Sequence, residues 1–296
     1  KSSANAAKSA KKSSAQAKKS SEKAAKSAKK SSESAAKSAK KSSDKAAKSA
    51  KLIDAPTAVL HLMPTDKTCP AAGTCKALCL NRAGNPVYLQ GKLKARDRRT
   101  RSFYLDGKDF MQNLLIELVR FAQKHECNEL RGCRLNGTSD IKWESLPVEV
   151  TPEISEYLFK NFETTIIPGT YRNIMQAAKF LNVPVQFYDY TKRTDRDLET
   201  AKQDDYHLTV SYGSNQDIFA YAIANNLNIA APFKGIKRSQ ELPEIVECNG
   251  FVFPVVDGDV TDWRAGDPSD RPHVVGLRLK RVPGMTPNQI NSFCLA

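Results

Sequence analysis

The sequence contains no run of consecutive apolar residues approaching the roughly 18 that a membrane-spanning helix needs, so the expectation is a soluble protein. It has only four histidines, His61, His125, His207 and His273, too scattered to form a recognisable catalytic or zinc motif. Seven cysteines is an odd number, and three of them crowd between Cys69 and Cys79, which fits reduced thiols or a metal site in a cytoplasmic setting better than a secreted disulfide framework. Residues 1–51 lack arginine, aromatic residues and every bulky apolar side chain. That segment can neither read bases by bidentate contacts or stacking nor insert into a bilayer.

What residues 1–51 do contain is sixteen lysines against Glu22, Glu33 and Asp44, a net +13 of the formal +14 of the whole 296-residue chain. Residues 52–296 are therefore nearly neutral. An eleven-residue unit recurs at 1–11, 19–29, 30–40 and 41–51, with a shortened copy at 12–18. Eleven residues is close to three helical turns at about 3.67 per turn, so a coiled arm would carry its lysines as a stripe. Alanine on the other side offers too little apolar area to offset chain ordering, and the arm is expected to be disordered alone and helical on contact. Phosphates are the matching partner, because each one neutralised releases condensed counterions. Lys8, Lys11, Lys12, Lys18, Lys19, Lys26, Lys29, Lys30, Lys37, Lys40, Lys41, Lys48 and Lys51 are the candidate contacts to nucleic acid, without sequence preference. A solvated spacer is the bland alternative.

From residue 52 onward, short β-branched runs alternate with amphipathic stretches. TAVLHL (57–62), ELRGCRLN (129–136), VPVQFYDY (183–190), YHLTVS (206–211), LNIAAPF (227–233), FVFPVV (251–256) and HVVGLRLK (273–280) read as strands. DFMQNLLIELVRFAQ (109–123), with Phe110, Leu114, Leu118 and Phe121 at helical spacing, reads as a helix, as do a stretch opening at Thr151-Pro152-Glu153 and QDIFAYAIANN (216–226). The alternation predicts an α/β domain with a mostly parallel sheet, either a full or partial βα barrel or an open doubly wound sheet. In such folds ligands gather at the carboxyl ends of the strands, where polar loops follow each run.

The strongest local signal is Cys69-x5-Cys75-x3-Cys79, three thiols in eleven residues. Such a set can hold an iron–sulfur cluster or supply three ligands to zinc, with Cys294, Cys248 or a histidine as a fourth, and unliganded thiols are the third reading. Cys127 and Cys133 are expected to be buried and inert. Asp140, in NGTSD, is a candidate general base, ligand or hydroxyl acceptor, or equally a turn aspartate. Arg134 can bind an anionic group, or pair with a neighbouring acid. Asp189 and Lys192 are candidates for a rim pair near substrate, while Tyr188 and Tyr190 either pack or stack on bases. Asp257, Asp259 and Asp262 supply enough acid for magnesium, although Gly258 and Thr261 suit a plain turn.

The cysteine loop, ARDRRTRSFY (95–104), RLNGTSDIKWE (134–144), VQFYDYTK (185–192), YHLTVS and VVDGDVTDWR with VVGLRLK together resemble a bacteriophage family labelled gene-product-88-like, over about residues 56–281 with the arm outside. That family is in turn distantly similar to radical S-adenosylmethionine enzymes, in which a three-cysteine loop after the first barrel strand holds a [4Fe–4S] cluster. The resemblance implies Cys69, Cys75 and Cys79 as ligands. The spacing departs from the usual x3, x2 pattern and no glycine-rich methionine-binding segment stands out, so use of S-adenosylmethionine is left open. The leading expectation is a phage protein of the host cytoplasm, attached to nucleic acid by its arm and carrying an iron–sulfur or metal-dependent catalytic domain. The alternatives are a non-enzymatic nucleic-acid-binding protein with a structural zinc site and a magnesium-dependent nuclease-like protein.

The arm generates one prediction. Deleting residues 1–51 lowers DNA and RNA affinity and flattens its salt dependence by about 0.9 log–log units per lost phosphate contact on duplex DNA. Filter-binding titrations over a salt series check this; a deletion that leaves both affinity and slope unchanged assigns binding elsewhere.

Overall fold

Each of the seven β-branched runs forms a strand, because alternate side chains can be buried on one face while backbone groups pair laterally. A computed structural model of the chain describes residues 55–76, 79, 81, 86–213, 217–279 and 286–295. The basic arm lies outside the described residues. The strands are β1 (Thr57–Val59), β2 (Gly132–Arg134), β3 (Val148–Val150), β4 (Gly169–Tyr171), β5 (Gln186–Thr191), β6 (Tyr206–Ser211), β7 (Ile229–Phe233), β8 (Ile245–Cys248), β9 (Phe251–Asp257) and β10 (Val274–Arg278). The helices are α1 (Pro86–Leu105), α2 (Gly107–Lys124), α3 (Pro152–Phe162), α4 (Ile174–Phe180), α5 (Leu198–Gln203), α6 (Asp217–Ala224) and α7 (Pro287–Phe293).

Eight strands form one sheet in the order β1-β2-β5-β6-β7-β10-β9-β8, parallel except for the β8–β9 hairpin. The sheet has β1 and β8 as its edges and does not close into a full barrel. β3 and β4 form a separate antiparallel ribbon. The hairpin turns on Asn249 and Gly250, both with positive φ (52° and 77°). This is the Asn-Gly signature of a tight two-residue turn, whose twist matches that of the flanking strands.

From β1 to β7 the crossovers run across the sheet in one direction, and α2, α4, α5 and α6 cover one face, whereas the crossover from β9 to β10 runs back the other way. Cys133 on β2, Phe187 on β5, and Tyr206 and Leu208 on β6 point into the core beneath α2, α4 and α5. Val210, Ile229, Ala231, Phe233 and Val274 continue that face beneath α6. The opposite, concave face carries Arg134, Tyr188, Tyr190, His207 and Thr209, the alternate residues of β2, β5 and β6. The chain after β9 turns back to fill it. Trp263 reaches Tyr188, with ring centroids 5.4 Å apart, and Arg264 is 1% exposed and donates to the carbonyls of Gly258 and Thr261.

Local signals explain the helices that were expected. Thr151 caps α3 by accepting from Ile154 N (3.4 Å), and Pro152 occupies the first turn where no donor is needed. In α2 the buried stripe is Phe110, Met111, Leu115, Leu118, Val119 and Ala122. It lies about one residue round from the expected one: Leu114 and Phe121 are only half-buried. α1 was not anticipated, since six cations and a weak apolar pattern hide its helical period. Among the described residues no helix is long and apolar enough to cross a membrane.

One buried ion pair ties the layers together. Arg196 donates to Glu144 Oε2 (2.7 Å) and to Ile141 O (3.1 Å), with both charged side chains fully buried. Removing Glu144 leaves the buried Arg196 with only its longer contact to Asp140 (3.3 Å) for compensation. Glu144→Ala is therefore expected to destabilise the domain by about 3–5 kcal/mol, read as a fall in the denaturation midpoint; a loss below 1 kcal/mol would show the pair to be dispensable.

Candidate active site

The loop after β1 is shaped by threonines. Thr68 Oγ1 donates to Met63 O (2.5 Å) and accepts from Thr65 N (2.8 Å), while Cys69 N donates to Thr65 O (2.8 Å). The chain then passes through Gly73, whose φ of 47° favours glycine, into a 3-10 turn (Gly73–Lys76) that carries Cys75. Cys69 Sγ lies 3.6 Å from Thr138 O, and Cys79 Sγ accepts from Asn81 N at 3.4 Å. Asn81 is in turn held by the Arg96 guanidinium.

A cavity of about 340 Å³ opens at the carboxyl ends of the parallel strands. Cys69, Cys75, Cys79, Arg134, Asp140 and Lys192 all line it, so the fold brings together six of the seven residues expected in the domain's site. Burial, with the nearby Asp140, Cys79 and Cys75, pushes the Cys69 thiol up to about 12. Burial also raises Cys75, against the pull of Lys192. Lys192 lies across the cavity floor, donating to Ser211 O (3.1 Å), Ser211 Oγ (2.9 Å) and Tyr212 O (2.6 Å). Burial lowers its pKa.

Asp140 is a strut within the wall. Its carboxylate accepts from Thr191 Oγ1 (2.8 Å), Lys192 N (2.8 Å) and Arg196 Nη1 (3.3 Å), and its backbone N–H donates to Thr68 O (2.7 Å). Burial raises its pKa despite these bonds. Arg134 lies over the Tyr190 ring at 4.9 Å and 3.9 Å from Asp189 Oδ1. Asn136, two residues on, also lines the cavity and turns its amide toward Trp143 and Ile141.

Asp189 is the residue the structure removes from the rim. It is fully buried on the helix-covered face, accepting from Leu135 N (2.8 Å), Asn136 N (3.0 Å) and Tyr206 Oη (2.8 Å). The period of two on β5 turns Asp189 away when it turns Tyr190 toward the cavity, so Asp189 and Lys192 form no rim pair. Asp257 and Asp259 pair with Arg278 (2.8 and 3.2 Å) in a turn in which Asp257 Oδ1 also accepts from Asp259 N. The hydrogen bond from Asp259 to Asp257 is what a turn provides, and Asp259 and Asp262 also line the cavity. Cys133 is buried as expected, but Cys127 is exposed beyond the end of α2. Tyr212, Arg278 and Phe293 also line the cavity and carried no sequence signal beyond polar strand ends. Among the described residues, no three His, Cys, Asp or Glu side chains converge on a point that would bind one metal ion.

A protein-family model for gene product 88 matches residues 21–283, most of the chain. The chain belongs to the gene product 88 family of bacteriophage proteins. The matched span of this gene product 88 protein starts inside the lysine repeat, some way before the start expected from the motifs. No curated protein matches the chain, and no solved structure does.

The buried Asp189 makes stability pH-dependent. Burial raises its pKa from 3.8 to about 6, against Arg134 and three hydrogen bonds. The folded state thus binds the proton more tightly than the unfolded one, and the associated stability, full below about pH 4, is lost as pH rises through about 6. The stability difference between wild type and Asp189→Asn should move toward Asn by on the order of 3 kcal/mol from about pH 4 to 7. Urea titrations at several pH values measure it, and a difference that stays flat with pH would refute the assignment.

Proposed function

We propose that this gene product 88 protein is a nucleic-acid-associated enzyme carrying an iron–sulfur cluster on Cys69, Cys75 and Cys79. The observation that carries the reading is that three thiols from one loop, after the first strand of a parallel sheet, open onto the same cavity as Arg134 and Lys192. Thiols distributed around a cavity suit a multi-iron group, in which separate irons take separate thiolates, better than one tetrahedral zinc ion with donors at about 2.3 Å.

A bound cluster would supply one-electron chemistry. The chain's own groups would do the rest. Lys192, tied to Ser211 and Tyr212, holds a positive charge beneath the thiol loop. Arg134, stacked on Tyr190, offers a guanidinium to an anionic substrate group. Asp140 acts as a positioning residue, keeping the cysteine loop registered against the end of β5. The lysine arm would keep the enzyme on its polymer through sequence-independent phosphate contacts.

Anaerobic reconstitution with iron and sulfide tests this. The wild-type protein should acquire bound iron, acid-labile sulfide and a broad visible absorption band. Cys69→Ala, Cys75→Ala and Cys79→Ala should each lose them, while Cys127→Ala keeps them. Equal iron in the wild type and the triple cysteine variant, or stoichiometric zinc with no iron, would refute the cluster.

A further inference from the structure

The near-neutral domain hides a local concentration of positive charge. α1 holds Lys92, Lys94, Arg96, Arg98, Arg99 and Arg101 against a single acid, Asp97. With about 100° of turn per residue, Lys92, Arg96 and Arg99 form one row, and Lys94, Arg98 and Arg101 lie on the opposite flank. Asp97 pairs with Arg101 on that flank (2.9 Å), leaving the first row without an acid from its own helix.

Arg96 and Arg99 of the first row contact residues next to the cavity wall. Arg99 Nη1 donates to His61 O (3.1 Å), and Arg96 holds Asn81 beside Cys79. His61 Nδ1 lies 3.4 Å from Thr138 Oγ1 in the cavity wall, and its pKa is held down to about 4 by burial and by Arg96, Arg134, Arg99 and Lys92. At the inner end, Arg134 Nε has no hydrogen-bond partner, and its guanidinium is stacked on Tyr190 in the cavity wall. From Lys92 to Arg99 the row spans about 10 Å, the axial length of roughly three phosphates of one strand. A cavity of about 340 Å³ is of a size to take one nucleotide.

We propose that Lys92, Arg96 and Arg99 form a phosphate track that leads a nucleic-acid strand past His61 to Arg134, so that the cavity receives one nucleotide of a polymer. This rests on reading the cavity as the catalytic site, but it moves recognition from the arm to the folded domain.

The test uses the full chain and a fluorescent single-stranded oligonucleotide, with affinity measured over a salt series. Lys92→Glu with Arg99→Glu should lower the log–log salt slope by about 1.4, at about 0.7 per phosphate contact on single strands. Lys124→Glu with Lys202→Glu makes the same charge change at exposed positions on α2 and α5 and should leave the slope near that of the wild type. The charge-keeping pair Lys92→Arg with Arg99→Lys should preserve the slope, separating loss of charge from disturbed packing. A free mononucleotide at equal nucleotide concentration should not displace the oligonucleotide.

Equal slope losses in the two glutamate pairs would overturn the track, as would no loss in either. Effective competition by the mononucleotide, or equally tight binding to vesicles of anionic phospholipid, would also overturn it. The cluster reading fails or stands separately, because it is read from the iron content of the cysteine variants and not from salt slopes.

Discussion

The Asp140 carboxylate is the point on which the site depends. It accepts from Thr191 and Lys192 at the end of β5 and from Arg196, whose other nitrogen is committed to the buried Glu144. Its own amide holds Thr68, one residue before Cys69. One side chain and its peptide thereby join the cysteine loop, the neighbouring strand end and the ion pair of the core. Buried polar groups of this kind are costly unless fully partnered, and full partnering makes the geometry of the cavity wall unique.

The same economy of faces governs the rest of the domain. The crossovers from β1 to β7 put the apolar stripes of α2, α4, α5 and α6 on one side of the sheet, leaving the other side to Arg134, Tyr188, Tyr190 and the Trp263-Arg264 segment. A polar concave face beneath a ring of strand ends is what an α/β fold offers a charged or aromatic ligand. The near-neutral total charge of the domain conceals this arrangement, because cations concentrated on α1 are offset by acids placed elsewhere.

Much of the fold was legible in the residues, for identifiable reasons. Runs such as YHLTVS, with β-branched residues and period-two burial, declared their strands, and Thr151-Pro152 declared the start of α3. The Asn249-Gly250 turn was equally legible and was passed over. α1 was obscured because its burial is shallow and its charge dense, so no apolar period marks it. β3, β4 and β8 are three or four residues long, too short for periodicity to register. Cys69, Cys75, Cys79, Arg134, Asp140 and Lys192 were found because chemistry-bearing residues at strand ends converge in a parallel sheet. Asp189 sits at the right height on its strand for the rim, but the face it takes depends on the strand's parity, which position along the chain alone does not reveal.

The sequence by itself determined a parallel α/β domain, the strands that build its rim, the three-thiol loop and the separation of a lysine arm from a nearly neutral remainder. These follow from local propensity, periodicity and composition, which act over a few residues. Only the tertiary structure decided that the sheet stays open, that Asp140 serves as a strut, that Asp189 is buried among donors and that the basic row of α1 faces His61 and Arg134. Those outcomes depend on which residues distant in the chain meet across a buried interface, and such pairings are set by packing and desolvation of the whole domain.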